Sequence, residues 1–473
     1  MPSRTPSTAR GPWRHGLRAG AVAVALCSVL VTPAGAQSAP APARADGPPP
    51  VPGALSGADA VPGEGSAATP AGRMARSLER IAARSYADTF SGVQVDAEHS
   101  TVTLYVTRPE RATALVEEAR REAPAGERAG ERAGVRVVVK AAKYSRGQLA
   151  AAMDRIKGSA EAWRRSGEVA IDEFGPLDGG AGLRVTADRP AVAAALVGRL
   201  LGERRSPGEA HGYAPAATDV RFEEAHPAPD RDDPRRTAGG RAAAPSAPGA
   251  QAAPRGDATP SRWNDNAPHY GGAILSKTRH EFWCTSGFAM DVPGWGRYMV
   301  TSGRCGSPGT YLYSGFNDVG QIVNEVPDID TAIIDTAPTG GSAGRLWRLD
   351  DQKDYVGWVT SQPGDQVCQT GVRTGYRCEM YVGQPQRKWV NGAYVTLTPA
   401  CTRDGSAAYA ADDEGGPVFS WASAYGVNSH GMISSGMGTW DSSGTAATCV
   451  GYVPTGTILG AWGARMTAPY PGA

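Results

Sequence analysis

The stretch YMVTSGRCG (298–306) reads as a β-strand that runs into a tight turn and delivers a cysteine, Cys305. Similar short runs lie on both sides of it: GFAMDV (287–292), TAIID (331–335), YVGWVT (355–360), AYVTLTPA (393–400), GPVFSW (416–421) and GMISSG (431–436). Turns rich in Gly, Asn, Asp and Ser separate them. β-favouring runs at this spacing predict an all-β sandwich or barrel from Trp263 to the end of the chain, 263–473.

The region upstream, 73–225, has a different period. Leu78, Ile81 and Ala82 are spaced for a helix; GVQVD and TVTLYVT then predict two strands around the polar turn AEHS. RPERATALVEEARR follows, with Ala112, Leu115, Val116 and Ala119 on one helical face, and GVRVVVK is the next strand. The order recurs in GEVAID, GLRVTADRPAVAAALVGRLL and TDVRF, with Ser145 to Trp163 between the copies as a further helix. Two copies predict a pair of small α+β units rather than a solenoid. Asp96 and Asp172 read as turn residues, and no catalytic constellation is visible here.

Two Pro/Ala-rich segments punctuate the chain: 37–72, a spacer, and 226–262, an exposed linker suited to proteolytic nicking. Residues 1–36 have the order of a signal peptide: Arg4, Arg10, Arg14 and Arg18, an apolar run from Ala19 to Val31, and Ala34-Gly35-Ala36 as a cleavage site. Export predicts an extracellular protein without a membrane anchor. Of seven cysteines Cys27 lies in that segment; the other six, Cys284, Cys305, Cys368, Cys378, Cys401 and Cys449, all fall in the β-type region. An even set confined to one exported domain predicts three disulfides; no Cys-x-x-Cys spacing argues for a metal. The 48 basic and 47 acidic residues balance, which gives no reason to expect nucleic acid or an anionic membrane as partner. No cofactor is expected, and a monomer is.

Five motifs in order, CTSGFAM to VTSGRC, DTAIID, GDQVCQTGVRTGYRC, DDEGGPVFS and SHGMISSGMG, resemble the trypsin-like serine peptidases, specifically the bacterial streptogrisin and alpha-lytic branch. The resemblance covers Tyr270 to Trp462, and the upstream region resembles that branch's paired pro-region. It implies a chymotrypsin-like fold of two six-stranded antiparallel β-barrels, preceded by an α+β pro-region-like domain with an internal duplication. It also implies the disulfides Cys284–Cys305, Cys368–Cys378 and Cys401–Cys449, and a substrate-binding wall at Ser434, Ser435 and Gly436.

The resemblance assigns the triad positions as well, and two of the three are replaced. Asp330 is the retained carboxylate. Arg304 stands where the imidazole belongs and cannot serve as a base, because its pKa stays above about 12. Glu414 stands at the serine, and Asp412 at the glycine whose N–H belongs to the oxyanion hole. Gln369 replaces an arginine that pairs with the loop aspartate, here Asp413, so the loop is expected to be poorly supported. His269, His280 and His430 do not follow the pattern of a relocated base, and Ser302 lies too early to be the nucleophile. Arg304 is expected either to lie between Asp330 and Glu414, its fork donating to both carboxylates, or to point to solvent as does Glu414. Calcium on Asp412, Asp413 and Glu414 is a third, weaker arrangement, since a hard cation wants six or more oxygens.

These replacements imply a peptidase homologue without serine endopeptidase activity, acting as a module that binds an extracellular peptide or protein. The alternatives are a cell-envelope or glycan-binding protein, for which the nine tryptophans after residue 262 argue, and a hydrolase with an unrecognised site.

Overall fold

The computed structural model describes residues 69–96, 99–122, 134–202, 215–225, 260–279 and 284–468. The expected signal peptide, most of the spacer and of the linker, and His280 lie outside the described residues.

The chain opens with the helix Pro70–Ser85, which starts before the boundary read at residue 73. Its spacing of Met74, Leu78, Ile81 and Ala82 puts these side chains in a core shared with Val93, Val102, Leu104 and Leu115. The strands Phe90–Asp96 and Thr101–Val106 pair antiparallel; Arg136–Ala141 then adds parallel to the second. The following helix, Arg146–Arg165, begins at a capping box: the Ser145 hydroxyl accepts from the Gln148 amide and the Gln148 side chain accepts from the Ser145 amide. Such a cap stabilises a helix start by about 1 kcal/mol. Ile171–Pro176 and Leu183–Ala187 pair antiparallel, and Val220–Glu224 adds parallel to the second of them. The two units thus share order and pairing sense.

The β-rich region holds a six-stranded sheet, in which Gly296–Ser302 lies between Ala289–Val292 and Thr331–Asp335. The second set of strands is continuous with the upstream region. Its hairpin at 386–402 accepts Ile171–Pro176 along the free edge of Gln386–Val390, so three N-terminal strands join it in one fourteen-stranded sheet. Charge and packing explain the junction. The Lys388 ammonium, 2% exposed, lies 2.7 Å from Asp172 Oδ2 and 3.8 Å from Glu173 Oε2. Burial lowers its pKa, but the two carboxylates outweigh burial and leave it raised. The Tyr394 hydroxyl donates to the Ile171 carbonyl at 2.7 Å, and its ring meets Phe174 at 5.3 Å. Asp172, read from sequence as a turn residue, is therefore part of a buried ion cluster.

The six cysteines form Cys284–Cys305, Cys368–Cys378 and Cys401–Cys449. The first ties the turn after Gly296–Ser302 to the short strand Cys284–Thr285, which pairs with Ile274–Leu275, and so fixes where Arg304 leaves the sheet.

Candidate functional site

Three segments converge. The first is the turn Gly303–Cys305, whose start is fixed by Ser302: its hydroxyl accepts from the Arg304 amide at 3.1 Å. The second is Asp330, which ends a short turn with φ 45° and ψ 47°. Asp is among the few non-glycine residues that tolerate this left-handed conformation. Its carbonyl accepts from the Gly303 amide at 3.0 Å, which brings the two segments together. The third is the loop 410–416.

Asp330 is fully buried. Its Oδ2 accepts from the hydroxyls of Ser302 at 2.7 Å and Ser434 at 2.6 Å. Its Oδ1 has no hydrogen-bond partner among the described residues. Burial pushes its pKa up to about 7; the two serines and the Arg304 charge pull it back, and Glu414 adds to the rise. The expected fork therefore forms on one side only: Arg304 acts on Asp330 through charge, while both serines take the hydrogen-bonding places. Ser434, expected on a substrate-binding wall, has its hydroxyl on Asp330.

Glu414 is also fully buried. Its Oε1 lies 3.1 Å from Arg304 Nη1 and accepts from the Tyr409 hydroxyl at 2.6 Å. Its Oε2 accepts from the Asp412 amide at 2.9 Å. A guanidinium, a phenol and a backbone N–H thus surround one carboxylate, the donor set that stabilises an anion out of water. Arg304 does not simply share solvent with Glu414, since it is 20% exposed and its partner not at all.

The neighbouring acids point elsewhere. Asp412 has φ 88°, a conformation that favours glycine, and its Oδ2 meets Arg373 Nη2 at 2.8 Å. Asp413 accepts from the amides of Arg373 at 2.7 Å, Ala410 at 2.8 Å and Thr374 at 3.0 Å, and from the Thr374 hydroxyl. Burial raises its pKa to about 6 against these donors. Three carboxylates with three separate sets of partners do not converge on a cation. Gln369 donates to the Ala408 carbonyl at 3.2 Å, and Asp413 is held by the three amides.

The expected binding wall packs on aromatic rings. A Cβ on Gly436 would fall 2.4 Å from the Tyr409 ring and 2.7 Å from Trp440. Those two rings meet edge to face at 5.7 Å. Ser435, 3% exposed, donates to the Gly436 carbonyl at 3.2 Å.

The described histidines of this region are bonded away from the site. His430 is buried between the hydroxyls of Ser361 at 2.8 Å and Ser420 at 2.9 Å, and burial lowers its pKa to about 3. His269 lies 3.3 Å from the Thr339 hydroxyl and 3.4 Å from Asp265. Sequence reasoning missed Tyr409, Arg373 and the role of Ser302. A tyrosine five positions before Glu414 is the one visible signal, and it has no meaning until the loop is folded.

No family model matches the sequence, and no curated protein matches it. Solved structures do. The Nocardiopsis protease NAPase is 24% identical, and the match covers 42% of this chain and 98% of that one with a TM-score of 0.35. Protease A of Thermobifida fusca is 22% identical over the same shares, with a TM-score of 0.34. A glutamic-acid-specific serine protease described as using a histidine triad in substrate binding is 19% identical, covers 42% and 99%, and has a TM-score of 0.34.

Proposed function

We propose that this chain is an exported homologue of the trypsin-like serine peptidases whose hydrolytic site has been replaced by an ion pair, and that it binds an extracellular peptide or protein. One observation carries the reading: the Glu414 carboxylate takes the Asp412 amide, the Tyr409 hydroxyl and the Arg304 guanidinium for itself. Acyl transfer needs a hydroxyl or thiol nucleophile, a base to take its proton, and donors for the developing oxyanion. At the nucleophile position is a buried carboxylate. At the base position is a guanidinium that carries no lone pair for a proton. The amide at Asp412 already donates to an anion.

Magnitudes favour inactivity. A peptidase site stripped of its triad keeps only roughly 10³–10⁴-fold over water, and losing an oxyanion donor costs a further 10²–10³-fold. A carboxylate about 4 Å from a developing oxyanion opposes it by about 4 kcal/mol at an effective dielectric near 20. Export is supported by the signal-like N-terminus and by disulfides, which persist in oxidising compartments. For binding, the proposal rests on the general ability of an exposed sheet edge to accept an extended chain by strand addition.

The test pairs two measurements on the purified protein. A fluorophosphonate should leave it unlabelled, and an immobilised peptide library should retain it while peptidoglycan and chitin do not. Labelling would make it a hydrolase with another site; retention on the glycans alone would make it a cell-envelope binder.

A further inference from the structure

Arg262 belongs by sequence to the end of the linker, yet its side chain is 2% exposed. Its Nη2 donates to the Gly371 carbonyl at 2.7 Å, and its Nε has no hydrogen-bond partner among the described residues. Its own carbonyl accepts from the Ile274 amide at 2.8 Å, and Ser261 bridges to Asn264, so the backbone here is part of the β-rich region. A buried cation is strongly unfavourable unless opposite charge compensates it. Burial lowers the Arg262 pKa to about 10, with Asp413 the larger and Asp350 the smaller of the charges that hold it up. Arg262 is thus still charged at neutral pH.

Gly371 joins the two charges. Its carbonyl takes the guanidinium, and its Cα faces the acid: a Cβ there would fall 2.3 Å from the Asp413 carboxyl carbon. Just beyond it, the amides of Arg373 and Thr374 donate to the same carboxylate. Any side chain at Gly371 would push Asp413 away, and Arg262 holds this peptide from behind.

We propose that Arg262 is a positioning residue for the loop 410–416, tying the end of the linker through the Gly371 peptide to the acid that precedes Glu414. Scission of the linker before Pro260 then leaves the loop in place, whereas loss of Arg262 releases it. The inference rests on the contact of Arg262 with Gly371 and of Gly371 with Asp413, and stands whether or not the site hydrolyses anything.

Amide hydrogen exchange on the full chain tests it. The probes are the amides of Ala410, Arg373 and Thr374, which donate to Asp413, with that of Val450 in the strand Ala446–Pro454 as internal control. In Arg262→Gln the three should exchange at least about tenfold faster while Val450 stays within twofold, as expected of local rather than global opening. Arg262→Lys, which keeps the charge, should recover most of the protection. Protein cut at a protease site introduced at 245–255 should exchange like the intact chain. Wild-type rates at all three amides in Arg262→Gln would overturn the proposal. So would equal acceleration at Val450, or cut protein that behaves like Arg262→Gln. If Arg262→Gln does not fold, Arg262→Gln with Asp413→Asn should, since both charges are then gone; failure of that pair as well would also overturn it.

Discussion

The Arg304 guanidinium and the Glu414 carboxylate, 110 positions apart in the chain and 3.1 Å apart in space, form an ion pair of which one member is wholly buried. Removing one partner of a buried pair leaves an uncompensated charge and costs roughly 3–5 kcal/mol. Arg304 is 20% exposed, so Arg304→Ala should fall near the low end, about 3 kcal/mol. Arg304→Ala with Glu414→Ala should recover part of the loss, because the stranded acid is gone. A thermal double-mutant cycle measures the coupling, and full additivity would mean that the two residues stabilise the fold independently.

Asp330 predicts how stability depends on pH. Its pKa rises from an ordinary 3.8 to about 7 in the fold. The folded chain therefore binds the extra proton between these values, and this group's contribution is fully present below pH 4 and lost as pH rises toward 7. Asp413, raised to about 6, acts in the same direction over a narrower window. Asp330→Asn keeps an oxygen for Ser302 and Ser434 but cannot ionise. It should flatten the decline between pH 4 and 7, by at most ~4 kcal/mol, and be more stable than the parent at pH 8. Parallel melting curves for the two proteins across that range would show that Asp330 does not titrate as described.

The local features of this fold were legible in the sequence; the relations across it were much less so. Helical spacing marked Ala112, Leu115, Val116 and Ala119, and all four are buried. Ser145 followed by Gln148 is a cap that local chemistry determines. Arg304, Asp330 and Glu414 stand out in the sequence because residues flanking them follow an ordered pattern, and the first and last do meet as an ion pair. The serines on Asp330 were not. Ser302 and Ser434 meet that carboxylate across 28 and 104 positions, and a serine on a strand gives no sign of whom it will face. The same holds for Arg262, whose surroundings in sequence are all linker, and for Lys388, which needs Asp172 and Glu173 from the other region to be buried at all.

Processing should differ from that of a self-cutting peptidase. Glu414 is not a hydroxyl nucleophile, so the chain should not cut its own linker. A β-rich region with long-range pairings folds slowly, and the upstream units, whose Ile171–Pro176 strand pairs with Gln386–Val390, are expected to aid its folding. Made in a host without extracellular proteases, the protein should run as one chain from about residue 37, the start of the expected mature protein, to residue 473. Cleavage within 226–262 at a rate unchanged by dilution would identify an intramolecular cut and refute this.

The central claim is that Arg304, Asp412 and Glu414 occupy the positions of a base, an oxyanion donor and a nucleophile. The most direct measurement is fluorophosphonate labelling, read by mass at residue 414, of Arg304→His/Asp412→Gly/Glu414→Ser beside the parent. On the proposed assignment Asp330 orients the new imidazole, and triad members act as a unit, so neither Arg304→His nor Glu414→Ser alone should label. The triple variant should label at 414 and hydrolyse an activated ester weakly, while the parent does neither. A folded triple variant that takes no label, or a parent that labels as fast, would contradict the account.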